Sequence, residues 1–142
     1  MLQDGFPKAR QATPFDLDRP QSTGQSKRIL VVDDNRDWAD GLAALLEDEG
    51  YSVHTAYDGS EAIVAAGTFR PHVVLLDIRM PKLSGYDAAR VFMRHPPETR
   101  PVLIALTAWR AESAKLQAEM TGFDHHIIKP EPAVILALLQ KI

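Results

Sequence analysis

Between Lys27 and Ile142, short apolar runs rich in β-branched residues alternate with longer stretches of helical periodicity. Ile29-Leu30-Val31-Val32, Val73-Val74-Leu75-Leu76 and Val102-Leu103-Ile104-Ala105-Leu106 are unbroken apolar runs. A strand with one wet face alternates polar and apolar residues, so unbroken runs predict strands covered by helices on both faces. Tyr51 to Ala56 alternates more, as an edge strand does, and Phe123 to Ile128 supplies a fifth strand. Between the runs, Trp38, Leu42, Leu45 and Leu46 recur at helical spacing and predict a core-facing helix stopped by Gly50. Further helices are predicted over Gly59 to Ala66, over Tyr86 to Met93 before Pro96-Pro97, and over Arg110 to Met120 before Gly122. The Arg110 helix is alanine-rich and weakly amphipathic, so it is expected to be the least buried. The last helix, Pro132 to Lys141, opens with a proline in its first turn, where the missing N–H is harmless. Strand and helix follow one another five times. That order predicts an α/β protein with an open, doubly wound parallel sheet and right-handed crossovers.

Residues 1–26 do not share this pattern. Pro7, Pro14, Pro20 and the polar run Gln21 to Ser26 bring too little apolar surface to offset the entropy of ordering them. They read as a flexible tail, or as a docking peptide around Phe6 and Phe15, ahead of one domain at 27–142. The chain of 142 residues carries 16 Lys+Arg against 19 Asp+Glu, a formal charge of −3, which excludes a generally basic nucleic-acid binder. It has no cysteine, which removes disulfides, thiolate catalysis and Cys-based metal sites. No apolar run approaches the roughly 18 residues of a membrane span. The start, Met1-Leu2-Gln3-Asp4-Gly5, lacks the basic and apolar regions of a signal peptide. A soluble cytoplasmic protein is the expectation.

The chemistry lies in what ends each strand. The first run stops at Asp33-Asp34, the third at Asp77, the fourth at Thr107 and the fifth at Lys129-Pro130. Ligands of open α/β sheets bind outside the carboxyl ends of the strands. Three carboxylates, a hydroxyl and an ammonium are thereby delivered to one rim, while the second strand ends in Ala56-Tyr57 without such a group. Carboxylates brought together repel, and a cation must offset them. Hard oxygen donors without thiolate or histidine competition favour Mg²⁺, with open positions for phosphate oxygens. Such a site stabilises a phosphoryl group in transfer, and Asp77 is a candidate nucleophile that would form an acyl phosphate. In the bland reading, one of Asp33 and Asp34 caps the following helix, Ser60 beside Glu61 starts the second helix, and Thr107 and Lys129 are ordinary strand-end groups. The histidines lack helical ligand spacing, and Trp38 and Trp109 lack the basic neighbours of a base-stacking platform.

Asp33-Asp34, Asp77 with Met80-Pro81 and Gly85, Thr107-Ala108 and Lys129-Pro130, in this order, resemble the receiver domain of two-component response regulators. The resemblance covers roughly Lys27 to Ile142. It implies a flavodoxin-like (β/α)5 fold with strand order 2-1-3-4-5. It also implies that Asp77 accepts a phosphoryl group from a phosphohistidine on a histidine kinase or histidine phosphotransfer protein. Asp33, Asp34, Asp77 and the backbone carbonyl of Arg79 would hold Mg²⁺. Thr107 would bond a phosphoryl oxygen, and Lys129 would pair with the phosphate ahead of a cis bond to Pro130. The implied protein is a self-phosphorylating and self-dephosphorylating signalling domain rather than a conventional enzyme. The stretch from Gly122 to Pro130 is more similar to receivers of hybrid sensor kinases than to those of DNA-binding regulators.

Two departures from the family stand out. His126 occupies a place that often holds a switch tyrosine or phenylalanine, and an imidazole is smaller and titrates near neutrality. Arg79 and Trp109 occupy places that in this family flank the route of the attacking water, and the bulk of Trp109 is expected to lengthen the life of the acyl phosphate. With no segment after the last helix, output is expected through a downstream protein target, without direct nucleic-acid or membrane contact, from a monomer or weak homodimer. The expected switch surface carries Trp109, Lys115, His126 and the final helix. The rival readings are a degenerate receiver acting only as a binding module and a Mg²⁺-dependent aspartyl phosphohydrolase. The second lacks an additional acid near the nucleophile, because position 79 is arginine.

Overall fold

The computed structural model describes residues 26–78, 85–107, 122–128 and 131–142. Five parallel strands form one sheet: β1 (Arg28–Val32), β2 (Ser52–Ala56), β3 (Val73–Asp77), β4 (Val102–Thr107) and β5 (His125–Ile128). Their spatial order is β2-β1-β3-β4-β5. The order reverses between β1 and β3, the switch point where a doubly wound sheet opens a crevice. The helices are α1 (Arg36–Asp48), α2 (Gly59–Phe69), α3 (Gly85–Phe92) and α4 (Pro132–Leu139). The helix predicted over Arg110 to Met120 and the tail up to residue 25 lie outside the described residues.

The unbroken apolar runs become the central strands because both faces are covered. On one face Leu30, Val32, Val74, Leu76, Leu103 and Ala105 pack with Ala62 of α2 and with Ala88, Ala89 and Phe92 of α3. On the other, Ile29, Val31, Val73, Leu75, Ile104 and Leu106 pack with Ala39, Leu42 and Leu46 of α1 and Ile135 and Leu139 of α4. Alternate residues of each strand thus feed two separate cores. Burying one such aliphatic side chain contributes roughly 1.5–3 kcal/mol. The alternating β2 is an edge strand, as expected, with His54 exposed and Ala56 buried.

Several local expectations need correction. Leu45 stays 43% exposed, and the buried stripe of α1 is Ala39, Leu42, Ala43 and Leu46. The three-residue step from Leu42 to Leu45 falls at the flank of the buried arc, whereas Ala39 and Ala43 let α1 approach the sheet closely. Helix α2 starts at Gly59 with Ser60 in its first turn, as expected, but runs on to Phe69; its cap is Asp58. Asp58 Oδ1 accepts the Glu61 N–H at 2.8 Å, and Glu61 Oε1 accepts the Tyr57 N–H at 2.9 Å. This reciprocal arrangement satisfies two backbone donors at the entry to the helix. The turn into β5 needs Gly122, which has φ +101°. A Cβ there would stand 2.7 Å from Met93 Cε.

Candidate functional site

The strand register carries the acids to one place. Val32 pairs with Leu76, so Asp33 and Asp77 follow as neighbours in the next row of adjacent strands. Asp77 pairs in turn with Leu106, and Thr107, the next residue of β4, pairs with Ile128. The Ile78 N–H donates to the Leu106 carbonyl at 3.2 Å, extending the ladder just past Asp77. On the opposite side the Asp33 N–H donates to the Ala56 carbonyl at 3.1 Å, tying the end of β1 to β2.

Asp33 is fully buried, Asp77 is 6% exposed and Asp34 is exposed. One carboxylate oxygen from each lies within 4.8 Å of those of the other two. Two ionised carboxylates at that separation repel by roughly 3 kcal/mol even at an effective dielectric constant of 20. Charged side chains are almost never fully buried without compensation. Part of it is local: Asp33 Oδ1 accepts the Asn35 N–H at 2.9 Å. The start of α1 adds the positive end of a helix dipole beside the acids. The remaining donors are hard, anionic and convergent, a set that fits a divalent cation with retained water ligands. The acidic cluster therefore has the composition and spacing to bind a metal.

Neither acid caps α1. The cap is Asn35, whose Oδ1 accepts the Trp38 N–H at 3.1 Å. Asparagine fills the capping role as well as aspartate does, and Asp33 and Asp34 stand beside Asp77 instead of capping the helix. Trp38 is half-buried against the core beneath α1.

The end of β2 is not chemically empty. Tyr57 Oη donates to Asp40 Oδ1 at 2.6 Å, and Thr55 Oγ1 donates to Tyr57 Oη at 3.2 Å. The Arg36 guanidinium lies 4.1 Å from the centroid of the Tyr57 ring. This group braces the end of β2 against the first turns of α1. Its members are separated by 17 residues between Asp40 and Tyr57, so no local pattern announces it.

Of the other candidates, β4 carries the backbone of Thr107 to the row beyond Asp77, and β5 ends at Ile128, immediately before Lys129. The Thr107 side chain, together with Arg79, Met80, Pro81, Trp109, Lys115, Lys129 and Pro130, lies outside the described residues. His126 is half-buried and pairs with Ala105 in β5. It shares a row with Val32, Leu76 and Ala105, all on the α2 and α3 face. The final helix, α4, packs on the opposite face. His126 and α4 therefore lie on opposite faces of the sheet, and the other members of the expected switch surface, Trp109 and Lys115, lie outside the described residues.

The family model for the response regulator receiver domain matches residues 29–140. The chain is 38% identical over 110 residues to the probable transcriptional regulatory protein TcrX of Mycobacterium tuberculosis, covering 78% of this chain and 46% of that protein. It is 38% identical over 105 residues to the response regulator MprA of Mycobacterium bovis, covering 74% of this chain and 45% of that protein. The chain thus spans less than half the length of these two regulators. The chemotaxis protein CheY4 of Vibrio cholerae superposes with a TM-score of 0.75 at 29% identity, covering 82% of this chain and 98% of that one. The receiver domain of sensor histidine kinase PA1611 from Pseudomonas aeruginosa superposes with a TM-score of 0.73 at 31% identity, covering 82% and 96%. That structure has a magnesium ion coordinated in its active site cleft. No described helix is long and apolar enough to cross a membrane.

Proposed function

The chain belongs to the response regulator receiver domain family of two-component signalling, and from that premise we propose that it is a phosphoacceptor whose acyl phosphate forms on Asp77. The observation that carries this reading is the convergence of Asp33, Asp34 and Asp77 within 4.8 Å at the carboxyl ends of β1 and β3. In the reaction a carboxylate oxygen of Asp77 attacks the phosphorus of a phosphohistidine on a histidine kinase or phosphotransfer protein. A P–O bond forms, the P–N bond breaks, and the imidazole leaves as the neutral base after taking a proton. Asp77 is nearly buried, so few water molecules compete with the incoming donor.

Asp33, Asp34, Asp77 and the carbonyl of Arg79 would hold Mg²⁺, which when bound supplies positive charge for the oxygens of the phosphoryl group. Asp33, held by the Asn35 N–H, has its orientation set before any ligand arrives. Thr107 would donate its hydroxyl to one phosphoryl oxygen, and Lys129 would pair with another. Phosphorylation adds about 1.5–2 negative charges at this rim. The readout is a changed preference of the β4 and β5 ends for a downstream protein target. The donor kinase draws on ATP, which places the exchange in the cytoplasm. The protein then acts as a signalling domain that hydrolyses its own acyl phosphate slowly.

The experiment is incubation of the chain with acetyl phosphate and Mg²⁺, followed by intact-mass measurement. One phosphoryl group, lost on hydroxylamine treatment and absent from Asp77→Asn, is the expected result. Continuous release of phosphate without an accumulating adduct would assign a phosphohydrolase instead. No adduct from either acetyl phosphate or a phosphorylated kinase would leave a binding module only.

A further inference from the structure

The opposite end of the sheet holds a cavity of about 630 Å³. It lies between the carboxyl ends of α2 and α3 and the beginnings of β1, β3 and β4. Arg28, Arg70, His72, His95, Glu98 and Arg100 line it. We propose that this cavity is a second ligand site, which takes a small phosphorylated anion through the guanidinium groups of Arg28, Arg70 and Arg100.

Fold maintenance accounts for part of this arginine cluster and fails to account for the rest. Arg28 Nε donates to the carbonyls of Phe69 at 3.0 Å and Arg70 at 2.8 Å, closing the end of α2. Arg100 donates through one terminal nitrogen to the carbonyls of Met93 at 2.9 Å and His95 at 3.0 Å, and through Nε to the His95 carbonyl at 3.3 Å, past the end of α3, which leaves its second terminal nitrogen for the cavity. These bonds offset the negative end of each helix. A guanidinium has five N–H donors, and the side-chain bonds of Arg28 use Nε alone. Its outer edge remains available to the cavity.

Arg70 is the residue that structure alone does not explain. It caps α2 in the left-handed conformation, φ 51° and ψ 66°. A residue with a Cβ pays roughly 1 kcal/mol there, and glycine does not. Gly50 at φ 99° and Gly122 at φ 101° make comparable turns in this same chain. Glycine at position 70 would serve the turn better. A guanidinium held in an unfavourable backbone conformation at the mouth of a basic cavity points to a use for the side chain.

The chemistry of that use follows from the lining. Planar guanidinium forks match phosphate oxygens bidentately. Three arginines face a single acid, Glu98, so a doubly charged anion is neutralised without excess. The volume lies in the range of small-molecule sites and exceeds what a bare phosphate needs. The apolar lining of Ala66, Pro71 and Pro101 can cover an organic moiety. The acidic cluster is a full strand length away, roughly 16 Å for five residues, and repels the same ligand.

Amide chemical-shift titration of the full chain, in EDTA and at constant ionic strength, tests the proposal with pyrophosphate, AMP and adenosine. Saturable shifts at Arg28, Arg70, His72 and Arg100, without shifts at Asp34 or Ile78, are expected for pyrophosphate or AMP. Arg70→Gly should weaken binding by about tenfold or more while raising the melting temperature, a pairing that a purely structural arginine cannot give. Arg70→Asn, which tolerates the same backbone, should weaken binding equally. AMP binding tighter than pyrophosphate would identify the organic moiety as recognised, and equal affinities would assign recognition to phosphate alone. Either result supports the site. Absence of saturation with both anions, adenosine matching AMP, or unchanged affinity in both Arg70 variants would overturn it.

Discussion

Asp33, Asp34 and Asp77 stand at one end of strands whose other ends begin at Arg28 and Val73, and the two rims carry opposite charge. The difference follows from the βα repeat. Among the described elements β1 and β2 lead into α1 and α2, and α1, α2 and α3 lead back into β2, β3 and β4. Carboxylates at the first rim face the positive amino ends of α1 and α2, capped by Asn35 and Asp58. Arginines at the second rim face the carbonyl ends of α2 and α3, which Arg28 and Arg100 bind directly. Helix dipoles favour this distribution by about 0.3–1 kcal/mol per charge. At the second rim Arg28 and Arg100 bond carbonyls of the protein, whereas the three convergent carboxylates of the first rim have the spacing to take a divalent cation.

Substitutions that treat the rims unequally sharpen the contrast. The largest effect is expected from Asp34→Asn. Mg²⁺ at about 100 times its Kd stabilises a protein by about 2.7 kcal/mol, and this variant should lose most of that gain. Without metal it should be more stable than the native chain by about 1 kcal/mol, since one of the repelling charges is gone. Urea unfolding with and without Mg²⁺ reads both terms. A metal-free Asp34→Asn less stable than the native chain would contradict the repulsion argument. Asn35→Ala comes next. It removes the cap of α1 and the acceptor of the Trp38 N–H, and should cost about 1 kcal/mol with or without Mg²⁺. A loss confined to the metal-bound form would show that Asn35 serves the site more than the helix.

The smallest effect is at the basic rim. His72 Nδ1 accepts the Arg28 N–H at 2.9 Å. Its pKa is lowered from the ordinary 6.5, first by burial and then by the charges of Arg28 and Lys27. Between the lowered folded value and 6.5, the unfolded chain binds more protons than the folded one, so stability falls with falling pH in that window. Above it the term is constant. His72→Asn retains an acceptor and does not titrate, so the stability difference between pH 7 and pH 5 should shrink slightly in the variant. An unchanged difference would remove His72 from the pH response.

The linear chain determines the layered architecture, because burial on both faces demands unbroken apolar runs such as Ile29–Val32 and Val73–Leu76. It also determines that the apolar runs of β1 and β3 stop at acids, Asp33-Asp34 and Asp77. Periodicity was a weaker guide inside α1, where small Ala39 and Ala43 form the packing stripe and Leu45 does not. The capping expectation fell on Asp33 or Asp34, whereas the neighbouring Asn35, whose amide oxygen accepts an N–H equally well, holds the position. Only the parallel register decided that Asp33 and Asp77 share a row and that Asp34 completes a cluster within 4.8 Å. The Tyr57–Asp40 contact, the basic cavity and the placement of His126 across the sheet from α4 likewise depend on chain segments far apart in sequence. Such juxtapositions are set by crossover topology and pleat, which no window of residues contains.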